Sequence, residues 1–190
     1  MKLSDRCQIE LPAWVLPFVD RWQKPVNSIS ERMQLAIALS AENVRRQTGG
    51  PFAALVVDED SKTLVAAGVN LVTTAGLSVA HAEIVALSLA QIAVGAWDLS
   101  QAGAMQLVTS CEPCAMCFGA IPWSGAKSLV CGASKQDAEA AGFNEGKKPP
   151  DWVKSLQRRG IVVQTRVLQS EASAVLEHYH DNGGTIYNAG

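Results

Sequence analysis

The stretch Thr109-Ser-Cys-Glu-Pro-Cys-Ala-Met-Cys117, read with His81-Ala-Glu83, constrains this chain more than any other. Thiolates and an imidazole are the donors that zinc takes. Cys114 and Cys117 are three residues apart, which puts both sulfurs on one face of a helix. Pro113 suits a first helical turn, where its missing N–H has no partner to lose. A helix start also favours the thiolate form that a metal needs. His81 and Glu83 are two apart, about 200° around a helix. They can meet only near the axis, beyond the helix N-terminus. Ser78 as N-cap places His81 in the first turn, and two helix starts then face one metal. One zinc per chain, held by His81, Cys114 and Cys117, keeps a fourth position open for water. Glu83 is the general base beside that water rather than a ligand. Two bland alternatives stand beside this reading: a closed Cys3His site completed by Cys111, and a metal-free cluster of small buried cysteines. The His-x-Glu pair favours the catalytic one.

Composition narrows the setting. With 190 residues, one domain is expected. Hydrophobic residues at 48% against charged residues at 18% suit a packed core and argue against disorder. A net charge of −2 argues against a dedicated nucleic-acid surface. Three of the five cysteines fall within seven residues, which is metal spacing rather than a disulfide framework. Cys7 and Cys131 read as free thiols, as in a reducing cytoplasm. Pro12 and Pro17 interrupt the apolar residues near the start, so no signal peptide is expected. No run of 18 residues is apolar enough to suggest a membrane span.

Along the chain, residues 1–28 read as an arm broken by Pro12, Pro17 and Pro25. Its Trp14, Phe18 and Trp22 are expected to pack onto the core. Residues 29–190 form the main domain. Ser30 is expected to cap a helix running to about Gln47, with Gly49-Gly50 as its stop. Residues 52–57 read as a strand and 63–70 as its antiparallel return. That pairing brings Phe52 and Asn70 to one sheet edge. Residues 84–94 are apolar nearly all round, as in a helix buried between layers. A strand at 105–109 delivers the cysteine turn, and the second metal helix follows at 114–124. Strands at 128–132 and 161–166, and helices at 135–141, 151–159 and 170–180, complete the pattern. Gly183-Gly184 then frees a tail. Strands alternating with helices after one hairpin predict an α/β fold, a mixed five-stranded sheet in a three-layer α/β/α sandwich.

The chain resembles the zinc nucleobase deaminases, whose signature is H-x-E…P-C-x-x-C. Within this cytidine deaminase-like superfamily it is most similar to the guanine deaminase branch, some bacterial members of which also accept ammeline. The matching residues are Gly49-Gly-Pro-Phe-Ala53, Asn70, His81-Ala-Glu83, Ser110 to Ala120, Trp123-Ser124, Ala141-Gly-Phe-Asn-Glu-Gly146 and Gly184-Thr-Ile-Tyr-Asn188. At Asn144, branch members usually carry Asp. The resemblance implies hydrolytic deamination of a small nucleobase, guanine to xanthine and ammonia, with zinc-activated water as nucleophile. Glu83 shuttles the proton, and Glu145 matches a second carboxylate that shares this work. The resemblance also implies a homodimer and a tail, with Tyr187, that closes over the active site.

For substrate binding, Asn70 offers a donor and an acceptor to a purine edge. The backbone N–H of Ala82 is free at a helix start. Trp123 and Phe52, with Phe143 as a weaker candidate, could flank a flat ring. Each has a plainer reading: a strand-end turn residue for Asn70, core aromatics for the rings, a solvated loop acid for Glu145. The competing activities are s-triazine (ammeline) or cytosine deamination and transfer-RNA adenosine deamination. The non-enzymatic alternative is a structural zinc module.

Overall fold

The computed structural model describes residues 3–188. The arm contains a short helix, α1 (Val15–Asp20). Trp14 and Val15 are buried in the main core, and Trp14 packs edge-on against Phe18 at 5.9 Å. The arm therefore lies on the domain. Helix α2 (Ile29–Arg45) starts two residues earlier than expected, because its N-cap is Ser28 and not Ser30. The deciding residue is Glu31. It sits three positions after Ser28 and returns the hydrogen bond, closing a capping box worth about 1 kcal/mol.

Strands β1 (Ala53–Asp58) and β2 (Leu64–Val69) form the expected hairpin. A one-turn helix, α3 (Val72–Ala75), follows, and then α4 (Ala82–Val94). Next come β3 (Met105–Cys111), α5 (Ala115–Ser124), β4 (Ser128–Ala133), α6 (Lys135–Ala140), α7 (Trp152–Gln157), β5 (Val162–Gln164) and α8 (Gln169–Asp181). The sheet order is β2-β1-β3-β4-β5. Antiparallel pairs join β2, β1 and β3, and parallel pairs join β3, β4 and β5. This is the mixed five-stranded sheet expected from the pattern.

Alternation within β1 shows why both faces are covered. Ala53, Leu55 and Val57 pack into the cluster with α2, while Ala54 and Val56 pack into the cluster with α4 and α5. Successive side chains of a strand point to opposite faces. A strand apolar on both needs a layer on each side. Gly68 sets how closely the α4 layer approaches. A Cβ there would lie 2.5 Å from the carbonyl oxygen of Ala82 and 2.6 Å from the amide nitrogen of Ala86. With hydrogen at that position, the start of α4 seats directly on β2. Among the described residues, no helix is long and apolar enough to cross a membrane.

Candidate active site

The functional residues gather at one edge of the sheet. β1 begins and β2 ends there, so Phe52 and Asn70 are neighbours: the Asn70 amide donates to the Phe52 carbonyl at 2.9 Å. β3 runs to the same edge and ends at Cys111, delivering Cys114 to the start of α5. The two metal helices begin later than the sequence suggested, α4 by three residues and α5 by one. His81, not Ser78, is the N-cap of α4, and Cys114 is the N-cap of α5. The reason is local. Ala80 and His81 close turns back to Leu77 and Val79, and the Ala80 carbonyl accepts from Leu71, so helical geometry starts only after His81. Pro113 accordingly lies before the cap. Two N-cap side chains project off the ends of their helices toward one point.

That point has the dimensions of a zinc site. His81 Nδ1 lies 3.5 Å from Cys114 Sγ and 3.6 Å from Cys117 Sγ. All three donor atoms lie within 4.8 Å of one another. Tetrahedral zinc at its usual bond lengths spaces a nitrogen and a sulfur by about 3.6 Å and two sulfurs by about 3.8 Å. The hydrogen bond from Cys117 holds Cys114 down at about 4 against its burial, and Cys117 is pushed up well above the usual thiol value by that same bond and by burial. Zinc ligation would require both as thiolates. Cys111 is buried at the end of β3, its thiol 3.8 Å from the Ser134 carbonyl. It is outside the three-donor group found among the described residues.

A cavity of about 330 Å³ opens beside these donors. Phe52, Asn70, Glu83, Phe143, Glu145 and Tyr187 line it. Glu83 is only 6% exposed, and burial raises its carboxyl, with Cys114 adding to the effect. Glu145 is also 6% exposed. Burial, then Cys114 and Glu83, push it up to about 8. The solvated-loop alternative for Glu145 does not describe this placement, since its carbonyl accepts from the Ala115 amide at 2.9 Å at the metal helix. Both carboxyls line the cavity that the donors His81 and Cys114 also line.

The Asn70 side chain is 1% exposed. Its Oδ1 accepts from the amides of Val72 (3.2 Å) and Gly50 (3.4 Å), while Nδ2 is buried with no protein partner. The acceptor half expected for recognition is therefore used internally, and the donor half is left without a protein partner. Asn43, inside α2, holds this arrangement from behind: Nδ2 donates to the carbonyls of Gly50 and Asn70, both at 2.9 Å. An Asn at helical spacing from Met33, Ala36 and Ser40, six residues before Gly49-Gly50, was the signal for it in the sequence. Phe52 and Phe143 meet edge-on at 4.9 Å. Tyr187, from the tail of the same chain, stands 5.2 Å from Phe143 and 6.3 Å from His81, and its hydroxyl is also buried without a partner.

Two expected residues are not at the cavity wall. Ala82 is the first residue of α4, wholly buried, with its side chain in the core against β1 and β2. The group expected to bind there, its backbone N–H, lies at the start of α4. Trp123 is 80% exposed and lines a separate groove with Ile84 and Leu87 on the outside of α4 and α5. It follows Cys117 by six residues, about 240° around the helix, so it faces away when Cys117 faces the metal.

Residues 26–133 match the cytidine and deoxycytidylate deaminase zinc-binding region. The chain is 40% identical over 113 residues to the guanine deaminase of Bacillus subtilis, covering 60% of this chain and 69% of that one. Its fold is similar to the guanine deaminase of Nitrosomonas europaea, with a TM-score of 0.87 at 43% identity over 95% of this chain and all of that one. A point variant of the protein NE0047, solved with 8-azaguanine, gives a TM-score of 0.89 at 43% identity over 96% of this chain and all of that one.

Proposed function

This chain belongs to the zinc-dependent cytidine and deoxycytidylate deaminase family, and on that premise we propose that it deaminates guanine hydrolytically to xanthine and ammonia. The observation that carries the reading is the pair of buried carboxyls, Glu83 and Glu145, lining one cavity beside the His81, Cys114 and Cys117 donors. Likeness to the guanine deaminases of B. subtilis and N. europaea selects guanine among amino-substituted rings.

His81, Cys114 and Cys117 would hold the zinc, which when bound would lower the pKa of water and so make a nucleophile available near neutrality. Glu83, at the second position of α4, takes the proton of that water and passes it to a ring nitrogen. Attack then falls on C2, the carbon that bears the amino group. The amine must leave protonated. Glu145, pushed up to about 8, still holds a proton at neutral pH and delivers it there. Asn70 Nδ2 donates to an acceptor on the purine edge, which removes an unpaired buried donor. Phe52 and Phe143 bound the flat ring. The Ala82 N–H adds a donor at the helix start. Tyr187 closes the cavity as part of a lid formed by the tail.

The same reading places the protein in the cytoplasm as a homodimer acting on a free base, with an arm at 1–28 and the catalytic domain at 29–190. The outward groove beside Trp123 leaves that residue to roles other than ring stacking in its own chain. The test is a Glu83→Gln variant. It is expected to keep one zinc per chain and to lose about 10³-fold in turnover of guanine, within the usual range for a general acid–base group. Turnover within threefold of the parent would overturn the mechanism.

A further inference from the structure

One buried cation stands behind the loop that carries Glu145. Lys148 follows Glu145 by three residues, and its side chain is 3% exposed. Its ammonium pairs with the Glu112 carboxylate at 2.5 Å and donates to the Pro113 carbonyl. It also lies 4.8 Å from the centre of the Trp152 ring. Glu112 and Pro113 are the two residues between the end of β3 and the zinc ligand Cys114. Taking an ammonium out of water is unfavourable unless it is paired and hydrogen-bonded, and a loop lysine has an easy alternative in solvent. Both partners of Lys148 here belong to the turn that presents the metal ligand.

The loop is pressed onto that turn at other points as well. The Glu145 carbonyl accepts from Ala115, and a Cβ on Gly146 would sit 3.0 Å from that of Ala115. Lys135 reaches the Gly146 carbonyl at 3.0 Å, though its side chain is 28% exposed. Lys148 is thus the buried charged tie between the two segments. Glu112 also lines the cavity. Its pairing with Lys148 leaves Glu83 and Glu145 as the acidic groups there without a cation bound to them.

We propose that Lys148 is a positioning residue for the deamination: by pinning its loop to Glu112 and Pro113, it fixes the Glu145 carboxyl relative to the zinc ligands. The proposal rests on the reading of Glu145 as the second proton carrier. Displacing a reacting group by about 1 Å is enough to lower a rate about 100-fold. The residues assigned to hold the ring, Asn70, Phe52 and Phe143, are not among the partners of Lys148, so the effect belongs in kcat rather than KM.

The experiment measures kcat, KM and zinc content for Lys148→Met, alone and combined with Glu145→Gln, using guanine as substrate. Because Lys148→Met leaves the partly buried Glu112 carboxylate without its cation, the neutral pair Glu112→Gln with Lys148→Met is measured alongside and stands in if the single variant does not fold. The expected result is a fall in kcat of about 10–100-fold, with KM within about threefold and one zinc per chain. In the Glu145→Gln background the same change should lower kcat by less than about twofold, because groups acting through one another are not additive. An equal loss in both backgrounds, or loss of zinc in step with activity, would overturn the positioning role. Full activity in Glu145→Gln alone would overturn the reading of Glu145 and the proposal with it.

Discussion

Gly49→Ala tests how the cavity wall is held, because its consequence can be worked from a single contact. A Cβ on Gly49 would stand 1.8 Å from the Asn70 carbonyl oxygen and 2.9 Å from Asn43 Nδ2. An ordinary carbon–oxygen approach is about 3.3 Å or more, so the Asn70 backbone must retreat by about 1.5 Å or α2 must move with it. Neither is free to yield. Asn43 bonds both Gly50 and Asn70 from a fully buried position, and the Asn70 amide is tied to Phe52. Breaking the Asn43–Asn70 bond leaves buried polar atoms unpaired, at about 1–3 kcal/mol. For a chain of this length that lowers Tm by roughly 3–10 °C. The unpartnered Asn70 Nδ2 moves with its backbone, so kcat/KM for guanine should fall about 100-fold. Gly119→Ala is the control. It lies in α5 with nothing within 4 Å of the added carbon, and it should raise stability by up to about 1 kcal/mol with activity unchanged. The assay is thermal melting with steady-state kinetics on both variants. A Gly49→Ala protein with parental Tm and kcat/KM would refute the argument that Gly49 positions Asn70.

Two further outcomes are expected. Cys111→Ser should keep one zinc per chain and activity within about threefold, since three protein donors and an open position suffice for a catalytic site; metal analysis showing zinc loss would make Cys111 a ligand. Glu145 must be protonated to deliver its proton, and burial with Cys114 and Glu83 nearby pushes it up to about 8. Turnover of guanine should therefore decline as pH rises through about 8, and a kcat–pH profile flat well beyond that value would contradict its role as donor.

The metal donors were legible in the sequence because zinc chemistry restricts both residue types and spacing. Any reading of His81, Cys114 and Cys117 had to bring them together. The sheet was legible because both faces of β1 are apolar and the hairpin puts Phe52 and Asn70 side by side. The helix caps were less so. Ser28 and Ser30 are alike as residues, and only the return bond of Glu31 separates them. Ser78 offers a cap, but the turn through Ala80 consumes it. The short α1 and α3 lie below the length at which periodicity carries information. Trp123 misled because an aromatic near a metal motif reads the same on either side of a helix until the turn count from Cys117 is fixed. Lys148 and the orphan hydroxyl of Tyr187 were out of reach for another reason. Their contacts cross between segments far apart in sequence, 35 and 36 residues in the case of Lys148, and no local pattern encodes such a pairing.

The most direct measurement is ammonia release by the zinc-loaded protein against guanine, guanosine, ammeline, cytosine, adenine and a transfer RNA. The account predicts turnover of guanine that is absent in Glu83→Gln, with ammeline as the one other small base that a slightly broader cavity would admit. Activity confined to the transfer RNA, or to cytosine, would keep the zinc chemistry and contradict the substrate. No ammonia from any of them, with zinc still bound, would contradict the enzyme itself and leave a structural zinc site.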